Sequence, residues 1–187
     1  MPDYRRKMPH IHPENAYLFL TWRLWGSMPA RTGQQVYPTP GHAFVAADRE
    51  LDRRSSGPRW LSDPRVAKMV SEAIMAGEAG RQFYEVCAWV VMPNHVHILI
   101  LPKVPVPVIT RWLKGSTARY ANLLLGRTGC PFWQDESFDH YLRRADQVGR
   151  TIEYIEMNPV SAGLAPAPEQ WPWSSAGWQR HSPCGTG

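Results

Sequence analysis

Residues Trp89 to Leu101 read WVVMPNHVHILIL, and this stretch limits the fold more than any other. Met92-Pro93-Asn94 punctuates two apolar runs, which predicts two antiparallel strands closed by a tight turn. Beyond the turn, side chains alternate faces with a period of two. Val96, Ile98 and Ile100 then point toward a core. His95 and His97 share the opposite face with Leu99. Residues two apart on a strand are about 7 Å apart, so both imidazoles can reach one ion. The same pair also suits one buried, hydrogen-bonded histidine and one exposed one. The strand by itself fits either reading.

The segments around this hairpin define the rest of the fold. AYLFLTWRL, Ala16 to Leu24, predicts a first strand. Tyr17, Phe19, Thr21 and Arg23 share one of its faces; Leu18, Leu20, Trp22 and Leu24 share the other, more apolar one. Residues 26–57 are rich in Gly, Pro, Arg and Ser and predict an inserted loop, with a short helix at 44–54. Asp63-Pro64 predicts a helix start with Asp63 as N-cap, and Val66, Met69, Val70, Ala73 and Ile74 form its stripe. Gly77 or Gly80 ends it. The hairpin strands follow over 83–91 and 96–101.

After the proline-rich 102–107, a second helix is predicted over 108–125, closed by Gly126. Ile109, Trp112, Leu113, Tyr120, Leu123 and Leu124 are at helical spacing. Arg111, Lys114, Thr117 and Arg119 lie on its other face. A fourth strand is expected at 138–143. The order strand, helix, hairpin, helix, strand is the ferredoxin-like arrangement, an α+β fold with two helices on one face of an antiparallel sheet. A third helix is expected from Asp146, its N-cap, to Met157, with Val148, Ile152 and Ile155 buried. Thr151, Tyr154 and Asn158 lie three and four residues apart on another face. Asn158-Pro159 ends this helix. The irregular tail containing WPWSS packs back on the domain.

A chain of 187 residues suits one domain. Residues 1–15 form a basic arm with Arg5, Arg6 and Lys7, and 177–187 a flexible tail. No run of eighteen apolar residues is present. The charged N-terminus lacks the apolar core of a secretory signal. Three widely spaced cysteines read as reduced thiols, so a cytoplasmic, nucleoid-associated protein is expected. A net charge of +5 permits a polyanionic partner. Arginine suits bidentate phosphate contacts. Nine tryptophans are many for this length; some belong to the core, and any beyond that suit stacking on unpaired bases. Arg111, Lys114, Arg119, Arg143 and Arg144, with the basic arm, could follow a nucleic-acid backbone; ordinary solvation explains them as well.

Two histidines and an amide oxygen can hold a divalent cation. A tyrosine hydroxyl beside them can attack phosphorus and form a covalent intermediate. Tyr154 is preferred over Tyr141 and Tyr120 because only Tyr154 has an asparagine four residues later. The strings VMPNHVHILI, FWQDESFDHYLR, YIEMNPVSAGL and WPWSS together resemble the REP-associated tyrosine transposases, of the single-tyrosine His-hydrophobic-His superfamily. The resemblance runs from Ala16 to Ala176.

It implies His95, His97 and Asn158 as ligands of Mg2+ or Mn2+, and Tyr154 as nucleophile. It also implies cleavage and rejoining of single-stranded DNA through a 5′-phosphotyrosine, acting on palindromic hairpin repeats. Residues 26–57 depart from the family's compact pattern, which leaves the DNA target open. A monomer and a homodimer both fit. A replication-initiator nickase of the same superfamily, a non-cleaving single-strand-binding regulator and a metal-dependent hydrolase that uses only the histidines are the alternatives.

Overall fold

The computed structural model describes residues 16–28, 50–51, 57–142 and 144–177. The basic arm, Arg143, the last ten residues and all but Glu50 and Leu51 of the expected 44–54 helix lie outside the described residues; those two are helical. The elements in order are β1 (Tyr17–Leu24), α1 (Pro64–Ala79), β2 (Tyr84–Val91), β3 (His95–Pro102), α2 (Val106–Leu124), β4 (Trp133–Leu142) and α3 (Ala145–Ser161). The strands form one antiparallel sheet in the order β2-β3-β1-β4. This is the ferredoxin-like order, as the sequence pattern predicts.

Alternation along the strands divides the apolar side chains between two layers. Leu18, Leu20, Trp22, Val96, Ile98 and Ile100 pack with α1 and α2. Phe19, Leu99 and Leu142 face the other way and pack with Val148 and Ile155 of α3. Full burial of each such side chain contributes roughly 1.5–3 kcal/mol, so packing on both faces holds the sheet between the two helical layers.

The start of α1 follows its sequence. Asp63 Oδ1 accepts from the Arg65 backbone N–H at 2.9 Å, with Pro64 in the first helical position. The Arg65 guanidinium pairs with the same carboxylate, and these hydrogen bonds hold the Asp63 pKa down at about 2. Gly80 follows the helix end; Gly77 is internal and lies under Tyr84, whose hydroxyl donates to the Ile74 carbonyl at 2.7 Å.

Several expectations are corrected. The buried face of α2 is Val106, Ile109, Leu113, Thr117, Ala121 and Asn122, while Tyr120, Leu123 and Leu124 are exposed. Thr117 can be buried because its hydroxyl is satisfied twice, donating to the Leu113 carbonyl and accepting from Trp133 Nε1. Secondly, β4 begins five residues earlier than its alternation suggests, at Trp133. Trp133 and Ser137 pair with Leu24 and Trp22 of β1 on either side of a register shift, and the Lys114 ammonium ties the Gln134 and Asp135 carbonyls between them to α2.

Thirdly, Arg144 and not Asp146 is the N-cap of α3. The Gln147 side chain accepts from the Arg144 backbone N–H, and Asp146 pairs with Arg144 and Arg150. The helix also runs past Pro159 to Ser161, because the Ala162 N–H still reaches the Asn158 carbonyl at 3.0 Å. Fourthly, Cys87 is disulfide-bonded and not a reduced thiol, whereas Cys130 is free and exposed. Spacing along a chain does not show which thiols a fold brings together.

The WPWSS stretch covers an edge of the sheet. The Val91 N–H donates to the Trp173 carbonyl at 2.8 Å, and Trp171 Nε1 donates to the Val91 carbonyl at 3.0 Å. The Trp89 N–H donates to Ser175 Oγ, which itself donates to Glu156 of α3. The tail thus occupies ladder positions that an open edge strand would offer to another chain, and it ties β2 to α3.

Candidate active site

The site lies between the sheet and α3. Pairing register sets one row of side chains across the sheet: His97 on β3 stands opposite Thr21 on β1, and Thr21 opposite Phe138 on β4. Directly opposed residues share a face. His95 lies one step along β3, opposite Arg23. Both histidines are completely buried, and their ring centroids are 4.7 Å apart. The rings lean closer than the ~7 Å backbone spacing of alternate strand residues.

Each imidazole is held from behind. His97 Nδ1 lies 2.7 Å from Thr21 Oγ1, and His95 Nδ1 lies 2.7 Å from Asn94 Oδ1. Phe19 stacks on His97 with centroids 5.6 Å apart. Across the gap, α3 presents Asn158, buried to 3% exposure, with Nδ2 at 3.4 Å from His97 Nε2. The Tyr154 ring, one turn earlier, stands 5.9 Å from the His97 ring and edge-on to Phe19 at 6.2 Å. His95, His97, Tyr154 and Asn158 therefore meet at one place, as the resemblance implies.

The donor set suits a divalent cation. Engaging Nδ1 leaves Nε2 of each ring for a ligand, and His97 Nε2 faces Asn158 of α3; metal-binding histidines are ordinarily held through the other nitrogen in this way. No cluster of three His, Cys, Asp or Glu side chains able to hold an ion exists among the described residues. Beside the two imidazoles, the side chain that α3 brings into the gap is the Asn158 amide. Two imidazoles and one amide leave positions open for oxygen ligands, a set compatible with Mg2+ or Mn2+.

The other tyrosines stand elsewhere. Tyr141, which the sequence places beside His140 and within reach of a nearby site, pairs with Leu18 and packs in the α1/α2 layer. Desolvation there, and then the Asp139 charge, raises its pKa. Tyr120 is exposed on α2.

The expected basic track is divided by the sheet. Arg111 and Arg119 are exposed on α2, across the sheet from the histidines. Lys114 is tied to β4. Arg144, at the start of α3, is on the site's side and pairs with Asp146. Arg5, Arg6, Lys7 and Arg143 lie outside the described residues.

Phe19, Thr21 and Asn94 belong to the site and were not singled out as site residues from the sequence. The face shared by Phe19 and Thr21 was legible in the alternation of β1. Their place behind His97 depends on strand register, which no local pattern prints. Asn94 reads as an ordinary turn residue.

Sheet order, buried histidine pair and helix-borne tyrosine define a ferredoxin-like domain that brings two imidazoles and a phenol together. A family model described as "Transposase IS200 like" matches residues 60–158, just over half of the chain. The chain belongs to this family of transposases.

The REP-associated tyrosine transposase of Escherichia coli (strain K12) is 30% identical over 111 residues, which is 58% of this chain and 63% of that protein. The match thus spans less than two thirds of that relative's length. A solved structure of a REP-associated tyrosine transposase bound to a REP hairpin aligns with a TM-score of 0.55 at 19% identity, over 95% of this chain and 84% of that one. At this identity the likeness establishes the shared fold. No helix among the described residues is long and apolar enough to cross a membrane.

Proposed function

We propose that this protein is a metal-dependent single-strand DNA endonuclease and strand transferase that acts on palindromic hairpin repeats through a 5′-phosphotyrosine intermediate. The observation that carries the reading is the convergence of Tyr154 and Asn158 of α3 on His95 and His97 of β3. Membership in the transposase family supports it. The resemblance to REP-associated enzymes, one of which has been solved with a REP hairpin, supports the hairpin substrate.

His95, His97 and Asn158 would hold Mg2+ or Mn2+. Such an ion, when bound, polarises a phosphoryl oxygen. Tyr154 Oη attacks the phosphorus, forming the Oη–P bond as the P–O3′ bond breaks. The phenol gives up its proton and the departing 3′ oxygen takes one up, so protons balance. One phosphoester replaces another, and rejoining by the reverse step needs no ATP. Phe19, edge-on to the Tyr154 ring and stacked on His97, limits how far either ring can swing. Thr21 and Asn94 fix the imidazoles from behind. The basic arm at Arg5 to Lys7, with Arg111, Lys114, Arg119, Arg143 and Arg144, would meet the DNA backbone.

The test is a denaturing gel with labelled hairpin, linear single strand and duplex of matched sequence, with Mn2+ and with EDTA. A metal-dependent covalent adduct on the hairpin is the expected result. Binding without any adduct would favour a non-cleaving regulator. Cleavage without an adduct would favour a hydrolase that uses the histidines alone.

A further inference from the structure

Asn94 is the last residue of the turn between β2 and β3, yet it is only 4% exposed. Turn asparagines are ordinarily solvated or bonded to their own backbone. This one has two buried partners. Its Nδ2 donates to the Leu51 carbonyl at 2.9 Å. Its Oδ1 lies 2.7 Å from His95 Nδ1. The first bond fixes the second. Leu51 offers only a carbonyl, an acceptor, so the amide end facing it must be NH2. The end facing His95 is then the oxygen, also an acceptor. An acceptor at that distance requires the imidazole hydrogen on Nδ1, which leaves the lone pair on Nε2.

We propose that Asn94 is a positioning residue that sets the tautomer and orientation of His95, and that the Leu51 carbonyl sets the orientation of Asn94. Leu51 is itself buried, 4% exposed, and belongs to the long connection between β1 and α1. That connection thereby reaches the candidate metal site through one carbonyl and one amide. Its length need not reflect DNA recognition alone; part of it supports a ligand. The inference rests on the reading of His95 as a ligand only for its consequence, since the tautomer exists without any metal.

Long-range nitrogen–proton NMR correlations of the imidazoles in the metal-free, full-length protein, held where both rings are neutral, provide the test. His95 in the wild type is expected as the Nδ1–H tautomer. Asn94→Ala removes both bonds and is expected to give mixed tautomers and a roughly 10–100-fold weaker Mn2+ affinity. Asn94→Asp keeps an acceptor toward His95 and is expected to keep the Nδ1–H tautomer, which separates positioning from mere packing. Wild-type His95 as the Nε2–H tautomer would overturn the proposal, whether or not either variant folds. So would an Asn94→Ala protein with unchanged tautomer. A wild type that shows the Nδ1–H tautomer but binds no Mn2+ would sink the metal reading and leave the Asn94 assignment standing.

Discussion

The ring of Tyr154 faces the ring of His97 with 5.9 Å between centroids, although one stands on a helix and the other on a central strand. Phe19 touches both, stacked on the imidazole and edge-on to the phenol. The contact between α3 and the sheet thus places the Tyr154 phenol, the proposed nucleophile, beside the candidate metal ligands, and apolar packing of Val148 and Ile155 holds it there.

Tyr154→Phe keeps the ring that packs on Phe19 and removes only the hydroxyl. Stability should change by no more than about 1 kcal/mol, the usual net worth of one hydrogen bond. The covalent protein–DNA adduct should disappear while hairpin binding persists. Tyr141→Phe should keep the adduct, because Tyr141 points into the opposite layer. An adduct that survives in Tyr154→Phe and is lost in Tyr141→Phe would assign the nucleophile to the other tyrosine.

His95→Ala should abolish cleavage, and EDTA should do the same to the wild type. The sequence suggests that removing His95 leaves the fold untouched. The structure qualifies this, because the side chain is fully buried and bonded to Asn94. Leaving the Asn94 oxygen without its donor costs about 1–3 kcal/mol, which a denaturant titration should resolve. Cleavage that continues in the variant, or in EDTA, would remove the metal from the mechanism.

Sheet order was legible in the order and alternation of the elements, whereas the meeting of His95, His97, Tyr154 and Asn158 was implied by the resemblance of their motifs; periodicities of two and of 3.6 residues show only which side chains share a face of one strand or one helix. What was not legible depends on contacts between elements. Thr117 lies on the polar-looking face of α2, and the Trp133 indole, sixteen residues on, together with the Leu113 carbonyl lets it be buried. The first half of β4, WQDES, carries no alternation because a register shift interrupts its pairing with β1 and Lys114 holds the intervening carbonyls. Pro159 is a sound stop signal that fails near a helix end, where one missing N–H costs little and the next turn still closes. Asn94 is the same kind of case: a turn residue in sequence, a support for His95 once Leu51 is seen above it.

Arg111 and Arg119 lie on α2, across the sheet from the histidines. If they touch DNA, they do so away from the point of cleavage. The paired variant Arg111→Ala with Arg119→Ala should weaken hairpin binding and flatten its dependence on salt. The slope of log affinity against log salt should fall by about 0.9 for each lost duplex phosphate contact. Cleavage of saturating substrate should continue at the wild-type rate. An unchanged slope would show that both side chains are merely solvated.

Tyr84 predicts how the fold fails in alkali. Its ring is completely buried against Gly77, and its hydroxyl donates to the Ile74 carbonyl. Desolvation, and then the nearby Glu78 charge, pushes its pKa well above the ordinary tyrosine value of 10.0. In the unfolded chain Tyr84 ionises near 10.0, while in the folded protein it keeps its proton. Above that pH the unfolded state binds fewer protons than the native state, so stability falls as pH rises. Below it both states hold the proton and the linkage vanishes. Tyr84→Phe should cost about 0.5–1.5 kcal/mol at pH 7 through the lost hydrogen bond. Its stability should then decline less steeply than the wild type's above pH ~10. Denaturant midpoints of both proteins from neutral pH into that range are the measurement, and parallel curves would show that Tyr84 takes no part in alkaline unfolding.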